Sequence, residues 1–442
     1  MKFEVRSSNE ELRKASGGVL LHSKFLLRTS NFVVLLAVAL ACTSRPTQQD
    51  RLKFWGLGRE GEVVAQLMPE FERRTGIRVD VQQIPWTAAH EKLLTAYVGE
   101  ATPDLAQMGN TWIPEFHAVG ALEGLTPWLQ RSTTVQERDH FPGIWATNVV
   151  DDVAYGVPWY VDTRIMFYRS DLIPRAPRTW AEWVDVMQQL KRRRPDKYAI
   201  LLPTNQWEEV TILALAEHAP LLNPSGTEGA FRDPRFRAAY TFFIDMFRRG
   251  FAPPVANTQV ANVYQGFAEG DFAFYLTGPW NVGEFRRRLP ANLQDKWATA
   301  PMPAPVASDW PGTSMAGGSS MVIFKSSRRK DQAWKLIEFL SEPAQQIRFY
   351  ELTGDLPAHR QAWGAPALRK DPPILSFGEQ LEHVAPLPRV PEWEQIATSI
   401  YEHGEATVRG RMTIDQALAD LDNKAHDVLA KRRWVLARMA SK

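Results

Sequence analysis

Short apolar runs alternate along the first half of the chain with stretches in which apolar residues recur every three or four positions. The short runs predict strands, and the longer period predicts amphipathic helices. The predicted order is a strand at 52–55, a helix through 63–71 that Gly76 ends, a strand at 77–81, a helix at 88–98 and a strand at 104–108. This alternation indicates a parallel sheet with helices on both faces.

The same alternation continues through the second half of the chain. The predicted strands are 165–168, 198–202, 272–276 and 321–324, and the predicted helices are 180–193, 234–249, 330–340 and 343–351. Thr179 and Thr413 begin capping-box patterns, and the chain from Pro391 onward is predicted to be all helix. Because neither a repeat nor a long linker interrupts the pattern, we predict two α/β units without a flexible join.

An apolar run at 32–41 follows Lys24 and Arg28 and precedes a polar stretch. A charged flank, a short apolar core and small residues before a cut site are typical of an export signal. The run is shorter than the ~20 residues that span a bilayer. We therefore predict a signal peptide at 1–41, a tether at 42–50 and a mature protein that works outside the cytoplasm.

Cys42 is the only cysteine of the 442 residues, and it directly follows this apolar run. Its position just after the cut site resembles the acceptor cysteine of bacterial lipoproteins, whose thiol is lipidated. The resemblance implies a lipoprotein that is held at the membrane through a lipid anchor. An ordinary signal peptide followed by an incidental thiol is the alternative.

The charge balance changes once the signal is removed. The whole chain has a net charge of +2, and residues 1–41 carry six Lys or Arg and three Asp or Glu, a net +3. The difference leaves the mature chain near −1, which gives no reason to expect nucleic acid as a partner. The single cysteine excludes an internal disulfide and a thiolate metal site. The 16 tryptophans are unusual, because several stand beside turn residues where a ring can meet a ligand.

Residues 56–61 have glycine at the first, third and last positions, which is the outline of a dinucleotide-binding turn between a strand and a helix. Two residues argue against a nucleotide. Glu60 would put a carboxylate where pyrophosphate needs positive potential, and Asp80 lies inside a strand rather than at its end. We interpret the turn as offering Arg59 and Glu60 to a neutral polar ligand instead.

Motifs for catalysis are scarce in this sequence. The nine histidines show no H-x-x-x-H or H-E-x-x-H spacing, and there is no G-x-S-x-G or P-loop motif. We therefore predict no metal, no cofactor and no enzymatic activity. A glycosidase-like pair of carboxylates is the enzymatic alternative, because acidic residues are plentiful.

Six segments of the mature chain carry the most specific pattern. They are FERRTGIRV at 71–79, ATPDLAQMG at 101–109, DVAYGVPWYVDTRIMFYRSD at 152–171, FAEGDFAFYLTGPW at 267–280, AGGSSMVI at 316–323 and AWKLIEFL at 333–340. In this order they resemble the extracellular solute-binding proteins that feed sugars to ABC importers, closest to the maltose/trehalose-binding type. The resemblance implies the type II periplasmic-binding-protein fold, an α/β fold of two lobes with mostly parallel sheets flanked by helices and a ligand cleft between the lobes.

The same resemblance implies a domain organisation and a role. Lobe 1 would comprise 51–162 with 316–365, and lobe 2 would comprise 163–315 with 366–442. The protein would be a periplasmic monomer that binds a di- or oligosaccharide, closes by hinge bending and delivers the sugar to the transmembrane subunits of an ABC permease. Another polar solute, such as a polyol or a glycerophosphodiester, is the alternative ligand.

A sugar presents hydroxyl groups at its edge and apolar C–H faces, so its site needs paired hydrogen-bonding side chains and aromatic rings. Trp280, positioned by the turn at 277–280, is the expected stacking platform, and Trp207 is a further candidate. The site residues expected from chemistry and from the resemblance are Glu60, Asn110, Trp112, Trp159, Tyr160, Asp162, Trp280, Gly317, Gly318 and Arg389. The alternatives are structural roles: core packing for the tryptophans, a packed hinge, helix capping, backbone conformation for the glycines and a solvated loop for Arg389.

Overall fold

The computed structural model describes residues 51–440. The predicted signal peptide at 1–41, the tether at 42–50 and the lipidation site Cys42 lie outside the described residues. Within 51–440, no helix has both the length and the apolar character that a membrane crossing requires.

Two mixed β-sheets form the centres of two α/β lobes. The strands are β1 (Leu52–Leu57), β2 (Val79–Ile84), β3 (Leu105–Gly109), β4 (Val149–Val150), β5 (Val153–Ala154), β6 (Val157–Asp162), β7 (Ile165–Arg169), β8 (Ile200–Leu201), β9 (Phe274–Thr277), β10 (Trp297–Ala300), β11 (Ser314–Met315), β12 (Gly317–Ile323), β13 (Leu356–Pro357) and β14 (Val384–Ala385). The first sheet has the order β13-β6-β12-β3-β1-β2, and the second has the order β10-β7-β9-β8. The short pairs β11–β14 and β4–β5 stand apart from these sheets.

The predicted parallel arrangement is confirmed for the first three strands and for β8 with β9 of the second sheet. β1 pairs in parallel with both β2 and β3. In contrast, β12 is antiparallel to β3 and β6, and β7 is antiparallel to β9 and β10. Strand direction could not be read from these segments, because a strand buried on both faces is continuously apolar whichever way it runs.

Helices cover both sheets. They are α1 (Gly58–Val64), α2 (Met68–Thr75), α3 (Trp86–Val98), α4 (Ile113–Ala118), α5 (Thr126–Leu129), α6 (Pro142–Ala146), α7 (Trp180–Arg193), α8 (Glu208–Ala216), α9 (Pro234–Arg248), α10 (Val263–Glu269), α11 (Trp280–Arg288), α12 (Lys330–Ser341), α13 (Pro343–Thr353), α14 (Pro366–Arg369), α15 (Pro372–Leu381), α16 (Trp393–Val408), α17 (Ile414–Val428) and α18 (Ala430–Ala440). Turns of 3-10 helix lie at Asn110–Trp112, Glu137–Asp139, Asn257–Gln259, Ala291–Leu293, Ala307–Asp309 and Arg360–Gly364.

The capping-box patterns predicted the starts of two helices correctly. The Thr179 hydroxyl accepts the backbone N–H of Glu182 at 3.1 Å, and the Thr413 hydroxyl accepts that of Gln416 at 3.2 Å. The single helix predicted through 63–71 is wrong, since this segment contains the end of α1 and the start of α2. Pro69, at the start of α2, has no N–H to continue the first helix and favours a new first turn.

The chain passes between the two sheets at two neighbouring places. β6 of the first sheet ends at Asp162, and β7 of the second sheet begins at Ile165. The return passage runs from β11, which ends at Met315, to β12 of the first sheet, which begins at Gly317. Gly317 lies opposite Asp162 in the β6–β12 ladder, so the two passages are paired side by side.

A hydrophobic cluster packs around these crossings. Val161 and Ala316, one from each passage, are buried in it together with Phe167 of the second sheet and Leu356 of the first. Each lobe also has its own larger cluster. The connection between the sheets is thus part of the packed core rather than an exposed linker.

Candidate functional site

A cavity of about 380 Å³ opens between the lobes beside the paired crossings. Residues from both lobes line it, including eight of the ten predicted from the sequence. These eight are Glu60, Asn110, Trp112, Tyr160, Asp162, Trp280, Gly317 and Gly318, and Trp207 lines the cavity as well. The other two predicted residues, Trp159 and Arg389, do not line this cavity.

Trp280 forms one aromatic wall of the cavity. Its indole folds back over Gly278, where the missing side chain leaves room for the ring. Trp280 is 46% exposed, and the guanidinium carbon of Arg164 lies 4.6 Å from the ring centroid. A ring held in this way offers a flat apolar surface to the C–H face of a sugar.

Trp86 and Trp112 form a second aromatic wall. Their rings meet edge to face, with centroids 5.7 Å apart. Trp86 begins α3 shortly after β2, and Trp112 ends the 3-10 helix that follows β3. Because β2 and β3 are both parallel to β1, their carboxyl ends bring the two tryptophans to the same edge of the sheet.

Glu60 is held by a chain of hydrogen bonds from neutral donors. Trp86 Nε1 donates to its Oε2 at 3.2 Å, and the Tyr160 hydroxyl donates to its Oε1 at 3.3 Å. Gln107 Nε2 donates to the same hydroxyl at 3.2 Å, while Gln107 Oε1 accepts the Leu57 N–H at 2.7 Å. Burial raises the pKa of Tyr160 well above its ordinary value, so the hydroxyl keeps its proton and remains a donor.

Asp162, Arg164 and Glu208 form a charged bridge between the lobes. Arg164 Nη1 lies 3.2 Å from Asp162 Oδ1, and Nη2 lies 3.5 Å from Glu208 Oε1. Asp162 ends a strand of the first sheet, whereas Glu208 begins α8 of the second lobe. Burial raises the pKa of Asp162, and the neighbouring Arg164 opposes that rise.

Asp355 makes the cavity strongly acidic. Burial raises its pKa to about 7, and repulsion from Glu60 adds to the rise. The cavity is lined by four carboxyl groups but by only one guanidinium, that of Arg164. Such a lining favours ligands that donate hydrogen bonds and disfavours anions. In the part of the chain that the structure describes, no three His, Cys, Asp or Glu side chains are arranged to hold a metal ion.

Asn110 and the two glycines also line the cavity. Asn110 is 5% exposed, and its Oδ1 accepts the Ser320 hydroxyl at 2.9 Å while its Nδ2 has no partner within 51–440. Gly318 has a φ of 118°, which favours glycine. A Cβ on Gly317 would collide with the Asp162 carboxylate. The two glycines therefore serve the strand crossing as well as lining the cavity.

The glycines at 56–61 have a packing role. Gly56 and Gly61 approach each other so closely that neither has room for a Cβ, and this seats α1 against β1. Asp80 is the second residue of β2 and therefore lies away from the carboxyl end of that strand. Glu60 lines the cavity as expected, whereas Arg59, which was also expected to face the ligand, does not line it and donates its Nη2 to the carbonyl oxygen of Leu352.

Trp159 is a core residue, and the expectation that it faces the ligand is wrong. It is 1% exposed and packs against Phe349 with ring centroids 4.5 Å apart. The β6–β12 ladder pairs Tyr160 with Ser319 and Pro158 with Ser320, which leaves Trp159 without a residue opposite it. This bulge turns the Trp159 indole into the core of the first lobe.

Arg389 lies behind the cavity and not in it. Its Nη1 donates to the carbonyl oxygens of Ala146 at 3.3 Å and Val149 at 2.7 Å. Arg389 instead lines a much smaller cavity, to which Asn110 also contributes. Arg389 thus connects the segment after β14 to backbone near α6, and the expectation of a pocket arginine is corrected.

We expect Arg389→Ala to leave sugar affinity within about threefold of the original value, because the side chain does not line the cavity. The lost hydrogen bonds should lower the free energy of unfolding by about 1 kcal/mol. Calorimetric titration and urea unfolding measure the two quantities separately. Arg389→Lys, which can keep one donor, is the matched variant; a loss of affinity above tenfold in the alanine variant alone would restore a ligand role.

The cavity lining also contains residues that were not predicted from the sequence, among them the charged or aromatic side chains of Trp86, Arg164, Glu208 and Asp355. Trp86 and Glu208 stand at helix starts next to strand or loop ends, which is the one local signal that pointed to them. Asp355 is brought to the cavity by β13, which joins the edge of the first sheet from far along the chain. A local sequence pattern does not show which distant strand will pair with the edge of a sheet.

Comparison with known proteins agrees with this geometry. The family described as bacterial extracellular solute-binding protein matches residues 55–347. The solved structure of the sugar-binding protein MalE from the phytopathogen Xanthomonas citri is similar, with 48% identity, a TM-score of 0.85 and coverage of 88% of this chain and 99% of that chain.

Two curated relatives are more distant. The maltotriose-binding protein of Pyrococcus abyssi is 24% identical over 303 residues, which cover 66% of this chain and 62% of that protein. The diacetylchitobiose binding protein DasA of Streptomyces coelicolor is 23% identical over 368 residues, which cover 80% of this chain and 83% of that protein. The match to the solved structure from Xanthomonas citri confirms the predicted two-lobed α/β fold.

Proposed function

The chain belongs to the family of bacterial extracellular solute-binding proteins, and we propose that it is the carbohydrate receptor of an ABC importer. Its ligand is a di- or oligosaccharide of the maltose or trehalose class. The observation that carries this proposal is an interlobe cavity lined by both tryptophan rings and carboxyl groups. The sugar-binding protein of Xanthomonas citri, at 48% identity, supports the same ligand class.

The cavity suits the two faces of a sugar. Trp280 and the Trp86–Trp112 wall match its apolar C–H surfaces, while Glu60 and Asp355 accept hydrogen bonds from its hydroxyls. Because residues of both lobes contact one ligand, the ligand binds the closed arrangement better than the open one and shifts the population toward it. Binding and closure require no bond of the sugar to be broken. In this proposal the protein therefore acts as a receptor and not as an enzyme.

The alternative ligands fit less well. A glycerophosphodiester would bring a negative charge beside four carboxyl groups and one arginine. A polyol lacks the ring whose C–H face would stack on Trp280. Sugar hydrolysis needs a paired acid and base, and Glu60 with Asp355 is the pair that the cavity offers to that alternative.

A thermal-shift screen over mono-, di- and oligosaccharides tests the proposal. A sugar present at 100 times its dissociation constant stabilises the folded state by about 2.7 kcal/mol, which raises the melting temperature. We expect a shift with a maltose- or trehalose-class sugar and none with glycerophosphodiesters. A shift with phosphate esters but with no sugar would contradict the receptor proposal, and so would release of monosaccharides during incubation with oligosaccharides.

The cellular arrangement is part of the same proposal. We assign lobe 1 to 51–162 with 316–365 and lobe 2 to 163–315 with 366–442, and the paired crossings between the sheets support these boundaries. The apolar run at 32–41 and the cysteine after it support a protein in the periplasm that is tethered by a lipid on Cys42 near the transmembrane subunits of its permease. The monomeric state is the one that the family resemblance implies. Mass spectrometry of the mature N-terminus would reveal the lipid or a free thiol.

A further inference from the structure

Helix α18 lies in a strongly basic segment of the chain. Residues 430–442 contain five Lys or Arg and no Asp or Glu. The whole chain has a net charge of +2, to which residues 1–41 contribute +3 and residues 430–442 contribute +5, so residues 42–429 carry −6. Positive charge is therefore concentrated in one segment of an otherwise acidic protein, which is typical of a segment that binds a polyanion.

The same helix exposes large apolar side chains. In the part of the chain that the structure describes, nine large apolar side chains are exposed, and three of the nine are consecutive on α18: Trp434, Val435 and Leu436. Trp434 is the most exposed tryptophan of this set, at 58%. Single exposed apolar residues are common on protein surfaces, whereas neighbouring ones indicate a surface that another molecule covers.

Four residues define the outward side of the helix, which we call the α18 face: Lys431, Trp434, Val435 and Arg438. Steps of three, four and seven positions from Lys431 place the other three on the same side of a helix, and all four are exposed. The guanidinium carbon of Arg438 lies 4.6 Å from the Trp434 ring centroid. The α18 face thus has a cation at each end and apolar side chains between them.

The other side of α18 is fixed to the second lobe. Arg433 Nη1 donates to the carbonyl oxygen of Thr227 at 2.9 Å and lies 3.6 Å from Glu228 Oε1. Arg432 lines a cavity together with the loop at 221–226. Because these contacts hold the helix by one side, the α18 face is directed away from the lobe.

A bilayer that contains anionic phospholipids is the polyanion that fits this face. Lys431 and Arg438 can pair with lipid phosphates, while Trp434 and Val435 enter the headgroup layer, where tryptophan is enriched. An acidic protein surface would pair with the cations but would offer no apolar layer to the exposed indole. The chain belongs to an extracellular family, which sets nucleic acid aside as the polyanion.

We propose that the α18 face docks this protein on an anionic phospholipid bilayer. The four residues of the face do not line the sugar cavity, so docking and sugar binding use different side chains. The proposed lipid on Cys42 would keep the receptor close to the bilayer. Under such a tether, a weak second contact is sufficient to orient the protein on the surface.

Co-sedimentation with phospholipid vesicles tests the proposal. The protein is used as residues 43–442, because the chain from Arg51 onward forms one compact unit and neither the apolar run at 32–41 nor Cys42 can then hold it on a vesicle. We expect about twentyfold tighter binding to vesicles of phosphatidylglycerol and phosphatidylcholine than to vesicles of phosphatidylcholine alone. Raising the salt concentration from about 50 to about 500 mM should remove most of this difference.

Variants locate the effect on the helix. Lys431→Gln combined with Arg438→Gln should weaken binding to the anionic vesicles about twentyfold, since each cation near a charged bilayer contributes about fivefold. Trp434→Ala should weaken the same binding about tenfold. Arg192→Gln combined with Arg193→Gln removes two exposed cations from α7 and should leave the affinity within about twofold. An unchanged melting temperature shows that each variant is folded.

Other occupants of the α18 face give different results. Equal binding to neutral and anionic vesicles would overturn the proposal, and so would an unchanged affinity in both the double glutamine variant of α18 and Trp434→Ala. Tighter binding to polyglutamate than to anionic vesicles of equal total charge would assign the face to an acidic protein instead. A dimer in sedimentation velocity that Trp434→Ala dissociates would assign it to a second copy of this chain. None of these results depends on a sugar, so the receptor proposal is tested separately.

Discussion

Trp280→Ala is expected to weaken sugar binding by about a hundredfold, the loss typical of an aromatic residue at the centre of a binding site. Trp280 is the most exposed ring of the cavity, and the Gly278 turn holds it in place. Because the variant removes the platform for the sugar's C–H face while leaving the carboxylates, hydrogen bonding alone would have to hold the ligand. Calorimetric titration with the sugar found by the thermal-shift screen measures the change.

Trp434 provides a matched control on α18. It is 58% exposed, and the guanidinium carbon of Arg438 lies 4.6 Å from its ring centroid, much as Arg164 lies against Trp280. Trp434→Ala should leave the sugar affinity unchanged. Trp280→Phe, which keeps a smaller ring, should fall between the original protein and the alanine variant. Equal affinity of Trp280→Ala and the original protein would remove this residue from the site.

Glu209→Gln is expected to stabilise the ligand-free protein by about 3 kcal/mol at pH 9. Glu209 is 5% exposed, and its Oε2 has no hydrogen-bond partner in the described part of the chain. Burial, with the neighbouring Glu208, raises its pKa from the ordinary 4.5 to about 8. At pH 9 the buried group is charged and costs free energy, whereas the isosteric amide stays neutral.

The sign of this pH dependence follows from proton binding. Between pH 4.5 and about 8 the folded protein keeps a proton on Glu209 that the unfolded chain releases. The free energy of unfolding should therefore fall as the pH rises through this window, and the fall should be smaller in Glu209→Gln. Urea unfolding at pH 5, 7 and 9 measures the free energy of unfolding of both proteins. The exposed Glu402→Gln serves as the control, and parallel pH profiles of Glu209→Gln and the original protein would contradict the expectation.

The sequence was sufficient for the elements whose determinants are local. The turn that carries Trp280, the helix start at Thr179 and the strand before Asn110 all depend on neighbours within a few residues, and all three were predicted. Glu60 was also recognised locally, because a carboxylate in the first turn of a helix after a glycine-rich turn argues against a phosphate ligand.

Other features depend on contacts between distant parts of the chain. Trp159 lies in the core, and a bulge in the β6–β12 ladder leaves it without a residue opposite it. A bulge cannot be predicted from the sequence of a strand whose residues are all apolar. Asp355 reaches the cavity through pairing of β13 with β6, and Gln107 supports Tyr160 from a strand that is otherwise apolar. None of these positions could be assigned before strand neighbours were known.

The paired crossings have a consequence for redesign of this receptor. Asp162, Gly317 and Gly318 line the cavity and also form the ladder that joins the two sheets. A substitution there, chosen to change the preferred sugar, would alter the stiffness of the joint as well, so its effects on selectivity and on bending could not be separated. Trp86 follows β2, which lies at the edge of the first sheet opposite β13 and β6. Libraries for new ligands should start at that position.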